Sequence, residues 1–151
     1  MTALSANKER RIRNDRGMRK EAYTPATSTQ FYEGGLVALN GSGLLVPASD
    51  SAGFRVVGVC TTKVLSASSS PAKVEVETGH EEWFPIDSAL NTAIATSTEK
   101  AATVADDTTL SNAATTTNDI PAGVIKDYES WRGVNGVWLH MGAASANGPA
   151  G

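Results

Sequence analysis

The chain has 151 residues, 13 Lys and Arg against 16 Asp and Glu, a net charge of −3 and one cysteine. One domain is the expectation at this length, an intramolecular disulfide is excluded, and no apolar run approaches the ~20 residues that span a bilayer. Charged residues are 19% of the chain and aromatics 6%, which points to a Thr-, Ser-, Ala- and Gly-rich fold rather than a compact enzyme.

The charge is unevenly placed. Residues 1–22 carry seven positive and three negative side chains, and the remainder carries six positive and thirteen negative. The stretch NKERRIRNDRGMRK, residues 7–20, holds all seven cations. No apolar region follows it, so it is not a secretory signal, and a protein made in cytoplasm is expected. Glu9 and Arg13, and Asp15 and Arg19, are four apart and would support a short helix, but Gly17 weakens it by about 1 kcal/mol and Leu4, Ile12 and Met18 form no stripe. The expectation is an extended basic N-terminal arm, flexible alone and ordered against a partner. Pro25 and the run TPATSTQ continue it as a connector to residue 30.

A β-rich body is expected over residues 31–142. Residues 36–47, LVALNGSGLLVP, place two apolar runs around Asn40-Gly41-Ser42-Gly43, a hairpin signal. Residues 54–60, FRVVGVC, predict a strand buried on both sides, with Gly58 at a bulge or a close backbone approach. In AKVEVE, residues 72–77, the period of two predicts a half-buried strand; a turn at Thr78-Gly79 leads to EEWFPI. Residues 88–119 are more than half Ala, Ser and Thr, and Ile94, Val104 and Leu110 among them favour short strands and loops. IPAGVIK (120–126) and GVWLHMG (136–142) predict two closing strands joined by a long loop, DYESWRGVN. No helix is expected in the body, and residues 143–151 are expected to be a flexible tail. Short strands at this spacing predict an all-β fold, a small β-sandwich or barrel-like body.

The search for chemistry is mostly negative. Cys60 with His80 or His140 would make a Cys–His nucleophile pair, but in the run VVGVC a cysteine is a small buried hydrophobe. Glu81-Glu82 and Asp106-Asp107 are adjacent pairs, which point to opposite faces of a strand, and neither has a calcium-loop pattern; no metal and no cofactor is expected. Gly34-Gly35 opens a strand rather than a helix, so it is not a phosphate cradle. The candidate site is the arm: Arg10, Arg11, Arg13, Arg16 and Arg19. These could pair bidentately with carboxylates on a protein surface, remain solvated, or neutralise phosphates. Protein docking is favoured, because no aromatics are interleaved for base stacking and the body is acidic.

The order of body segments resembles the small capsid cement, or head decoration, proteins of tailed double-stranded-DNA bacteriophages. The pieces are residues 35–39 with Val46-Pro47-Ala48, residues 57–60, 74–79 and 106–110, then Ala122-Gly123-Val124-Ile125 with Gly136-Val137-Trp138. Together they cover most of residues 31–142. Cys60, the bulky loop 128–132 and the long basic arm depart from the pattern. The resemblance implies a structural, non-enzymatic virion protein on the outer capsid surface. It would bridge neighbouring major capsid subunits against internal DNA pressure, as a homotrimer on a local three-fold axis or otherwise a homodimer. The arm would order against acidic surface on a neighbour, and its removal would leave the body folded. Nucleic acid and membrane are not expected partners. The alternative is a receptor- or glycan-binding β module of the virion surface, with exposed Trp83, Trp131 or Trp138 as sugar platforms.

Overall fold

A computed structural model describes residues 3–142. The protein is all-β. In chain order the strands are β1 (Ile12–Arg13), β2 (Arg19–Tyr23), β3 (Gln30–Phe31), β4 (Leu36–Leu39), β5 (Leu45–Pro47), β6 (Arg55–Cys60), β7 (Val64–Leu65), β8 (Val74–Thr78), β9 (Glu81–Pro85), β10 (Ala101–Val104), β11 (Leu110–Ser111), β12 (Pro121–Tyr128) and β13 (Gly136–His140). They form a six-stranded sheet in the order β1-β9-β13-β12-β10-β11, a five-stranded sheet in the order β2-β8-β6-β4-β5, and the pair β3-β7, all antiparallel.

Each large sheet is drawn toward closure by one parallel bridge. Chain leaving β2, at one edge of the five-stranded sheet, reaches the other edge as Thr24–Ala26: Leu45 N donates to Thr24 O and Ala26 N to Leu45 O, both at 2.9 Å. Chain leaving β9 likewise bridges β11 through Ile86 and Leu110, and Asp87 N donates to Leu110 O at 3.0 Å. Closure removes the exposed edges that make open sheets aggregate.

Alternation along the central strands feeds two cores. Leu36 and Ala38 of β4 and Val59 of β6 join the larger cluster with Phe84, Leu110, Ile125, Val137 and Leu139. Val37 and Cys60, one residue on, face a second cluster with Phe31, Leu45, Val74 and Val76. The double burial expected for residues 54–60 therefore holds at its C-terminal end, while Arg55 stays exposed. Each large apolar side chain so buried contributes about 1.5–3 kcal/mol. Gly58 sits opposite a register shift at Val37/Ala38, and a Cβ there would collide with the Glu77 carbonyl oxygen.

The body does contain a short helix, contrary to expectation. α1 (Ser88–Thr92) starts at Asp87, whose carboxylate accepts from Leu90 N at 2.9 Å, and it delivers Leu90 to the larger core. An N-cap aspartate offsets weak Ser and Thr helix propensity. The tail expected over 143–151 lies outside the described residues.

Candidate functional site

The basic segment lies on the chain's own body. β8 and β9 are joined by the turn Thr78-Gly79-His80, so the chain passes there from the five-stranded sheet to the six-stranded one. Residues 12–23 run antiparallel beside this arch. Ile12 and Arg13 pair with Glu82 and Glu81, and Arg19 through Tyr23 pair with Thr78 through Val74. A 3-10 turn at Asp15–Gly17 takes up the extra length and seats the Gly17 carbonyl against Gly79. A side chain at Gly79 is excluded, because its Cβ would overlap that carbonyl and Gly79 has φ 85°, whereas a Cβ on Gly17 would make only a tight contact with the Gly79 carbonyl oxygen at 3.0 Å.

The arch is where the acidic body concentrates its carboxylates, and the arginines meet them there. Arg10 donates to both oxygens of Glu82, Nε at 3.1 Å and Nη2 at 2.7 Å, and its Nη1 donates to Glu77 at 2.6 Å. Glu82 is fully buried and is also bonded at 2.7 Å to Nε2 of buried His80. Burial alone would raise the Glu82 carboxyl; the bonds from His80 and Arg10, with the charges of Arg10 and Lys8, outweigh it and hold it below the usual carboxylate range. Burial likewise works against the charge on Arg10, but Glu82 and Glu77 hold its pKa above the ordinary value.

Lys8 lies beside this group. Its Nζ sits 3.6 Å from the centroid of the Phe84 ring and donates to Trp83 O at 3.3 Å. Burial lowers its pKa to about 8; the charges of Glu82 and Asp107 oppose that shift, and Arg10 adds to it. Asp107 accepts from Leu4 N at 2.9 Å, which ties the start of the segment to the body.

On the outer face of the six-stranded sheet the contacts are aromatic. Arg11 lies 4.6 Å from the Trp131 ring, 5.1 Å from Trp138 and 5.9 Å from Trp83, and forms an ion pair with Glu129 at 2.6 Å that lacks hydrogen-bond alignment. Arg13 covers Trp138 at 4.4 Å and donates to Glu81 at 2.7 Å. Asn14 adds a second bond to Glu81, and these outweigh burial to keep that carboxyl low.

The five candidate arginines therefore divide. Arg10, Arg11 and Arg13 are engaged within the chain. Arg16 is exposed in the 3-10 turn, and Arg19 is exposed and pairs with Glu21 at 3.5 Å. The expected flexible arm is replaced here by a strand segment that spans both sheets. Its cause is the spacing of Glu77, Glu81 and Glu82, which matches acceptors to donors more than 60 residues away in sequence. Nor are all three tryptophans exposed: Trp83 and Trp138 are buried, at 4% and 6%, and guanidinium groups lie over all three rings. Cys60 is fully buried, and burial pushes its thiol pKa up, so it is a packed hydrophobe.

No family model matches this sequence, and a search of curated proteins finds no match.

Proposed function

We propose that this chain is a structural virion protein, which binds the outside of a tailed-phage capsid and cements neighbouring major capsid subunits against internal DNA pressure. The observation that supports the reading is where the resembling segments fall. Residues 35–39 and 46–48 contain β4 and most of β5, 57–60 end β6, and 74–79 contain β8. Residues 122–125 and 136–138 lie in β12 and β13. Residues 106–110 form the loop that leads into β11, and the other segments are strands of the framework of one cross-tied body. A cement subunit has to keep its shape under load, and two sheets each drawn toward closure by a bridge and strapped together by residues 12–23 suit that task.

In this reading the partners are the major capsid protein and further copies of the chain, as a trimer on a local three-fold or otherwise a dimer. The protein is made in the host cytoplasm and ends on the outer capsid surface. Arg16 and Arg19 are the arginines of the basic segment left outside for a neighbour; Arg10, Arg11 and Arg13 act by holding the segment down. The glycan-binding alternative gains nothing from the geometry, because a sugar needs an open aromatic face and these rings carry guanidinium groups.

Co-sedimentation with capsid shells emptied of DNA, with free DNA in a parallel tube, tests the proposal. Saturable binding to shells and none to DNA is expected. Binding to DNA with none to shells would overturn it.

A further inference from the structure

Residues 128–135 join β12 to β13 through a tight turn at their tip. Trp131 N donates to Val134 O at 2.9 Å and Val134 N donates to Trp131 O at 3.0 Å. The two residues between, Arg132 and Gly133, have φ 50° and 76°. Reciprocal bonds around two consecutive positive-φ residues are the pattern of a type I′ turn, which favours Asn-Gly or Asp-Gly. Arginine at the first of these positions is an expensive backbone choice.

Contacts within the chain give little in return. Arg132 pairs with Glu9 at 2.9 Å, but the two side chains are 66% and 60% exposed, and ion pairs that open to solvent contribute little. Its guanidinium also lies over the Trp131 ring at 4.4 Å, itself half-buried.

The tip is nonetheless rigid. Glu129 N donates to Gly136 O at 3.0 Å, Trp83 Nε1 to Glu129 O at 2.8 Å, and the Tyr128 hydroxyl to Asn135 Oδ1 at 2.8 Å. Trp131 packs edge-on to Trp83 at 5.5 Å between centroids. On this fixed frame Val134 is 46% exposed on the face it shares with Trp131, and Tyr128 is 40% exposed on the opposite face; Leu65 and Ile12 are exposed elsewhere among the described residues. Trp, Tyr and Arg dominate binding energy at protein interfaces, and a pre-ordered projection avoids much of the entropy cost of docking.

We propose that this hairpin tip is the knob by which the protein docks on the shell. Arg132 pairs with a carboxylate of the major capsid protein, while Val134 and the exposed part of Trp131, which are paired on one face of the hairpin, enter an apolar cleft beside it. The assignment rests on the cement reading and names the surface that carries it out.

The test compares full-length wild type, Arg132→Asn and Val134→Ser by co-sedimentation with DNA-emptied shells and by thermal unfolding. Asparagine tolerates the left-handed turn position, so Arg132→Asn should melt at the wild-type temperature or slightly above it. Each variant should nevertheless bind shells at least about tenfold more weakly, the loss expected of an interface hot spot. Wild-type binding with undiminished binding by both variants overturns the hairpin assignment alone. No wild-type binding to shells overturns the cement reading and the hairpin with it.

Discussion

Arg10 grips Glu82 with two parallel hydrogen bonds, 3.1 Å and 2.7 Å long, at a carboxylate that has no solvent exposure. The pair joins a residue near the start of the chain to the strand at the junction of the two large sheets. A buried charge that loses its partner keeps its desolvation cost, so this contact should be among the least dispensable in the molecule. Arg10→Ala should lose about 3–5 kcal/mol of unfolding free energy in denaturant titrations. Arg10→Lys should recover only part of it, because an ammonium cannot reproduce the fork. Arg16→Ala, at an exposed turn position, should stay within about 0.5 kcal/mol of wild type.

Truncation carries the same logic further. A chain beginning at Tyr23 lacks β1 and most of β2, bares the edge of β8, and leaves Glu77, Glu81 and Glu82 without their arginines. It should lose at least about 3–5 kcal/mol and show a blunted near-ultraviolet circular dichroism transition. This reverses the expectation that the body stands without its first 22 residues. A truncated chain with an unchanged denaturant midpoint would restore that expectation.

Much of the β framework was legible in the sequence, because burial on one or two faces leaves a period that single residues betray. Val74 and Val76 are buried with Glu75 exposed between them, as AKVEVE implied, but the period breaks at Glu77, which is buried under Arg10. Asn40-Gly41-Ser42-Gly43 marked the β4–β5 turn, where Asn40 Oδ1 accepts from Ser42 N and Leu44 N. The docking of the basic segment left no such trace. β2 reads RKEAY and exposes its first four side chains, so it has no apolar period. β1 has two residues, too few for a pattern. Their partners are glutamates more than 60 positions away, and matching of that range appears only in the fold. Asp87 before Ser-Ala-Leu was a usable N-cap signal for α1, obscured by the Ala, Ser and Thr composition around it.

Lys8 gives the fold a signature on the alkaline side. Its ammonium titrates near 8 in the folded protein against an ordinary 10.5. Between those values the unfolded chain binds more protons than the folded one, so this group's contribution to stability rises with pH across that window. Lys8→Met should abolish the rise, and the stability of wild type relative to the variant should improve from pH 8 to pH 10.5. A constant difference would show that Lys8 is not desolvated. On the acid side, Glu82 and Glu81 are depressed, so their stabilisation is present above the ordinary carboxylate range and lost as pH falls through the folded values.

Two glycines separate packing from backbone freedom. A methyl group on Gly58 would enter the Glu77 carbonyl, whereas one on Gly41 meets nothing within 4 Å. Gly58→Ala should cost about 1–3 kcal/mol or more by overpacking. Gly41→Ala should be neutral or stabilise slightly, by up to about 1 kcal/mol, through the unfolded state. Melting temperatures of the two variants measured side by side decide the point.

The central claim is that the basic segment is a strand of the body rather than a free arm. Amide hydrogen exchange of the full-length protein tests it most directly. The β2 amides bonded to β8 should be protected to the same degree as those of β8 itself. Exchange of residues 19–23 at the rate of an unstructured chain, with β8 still protected, would contradict it.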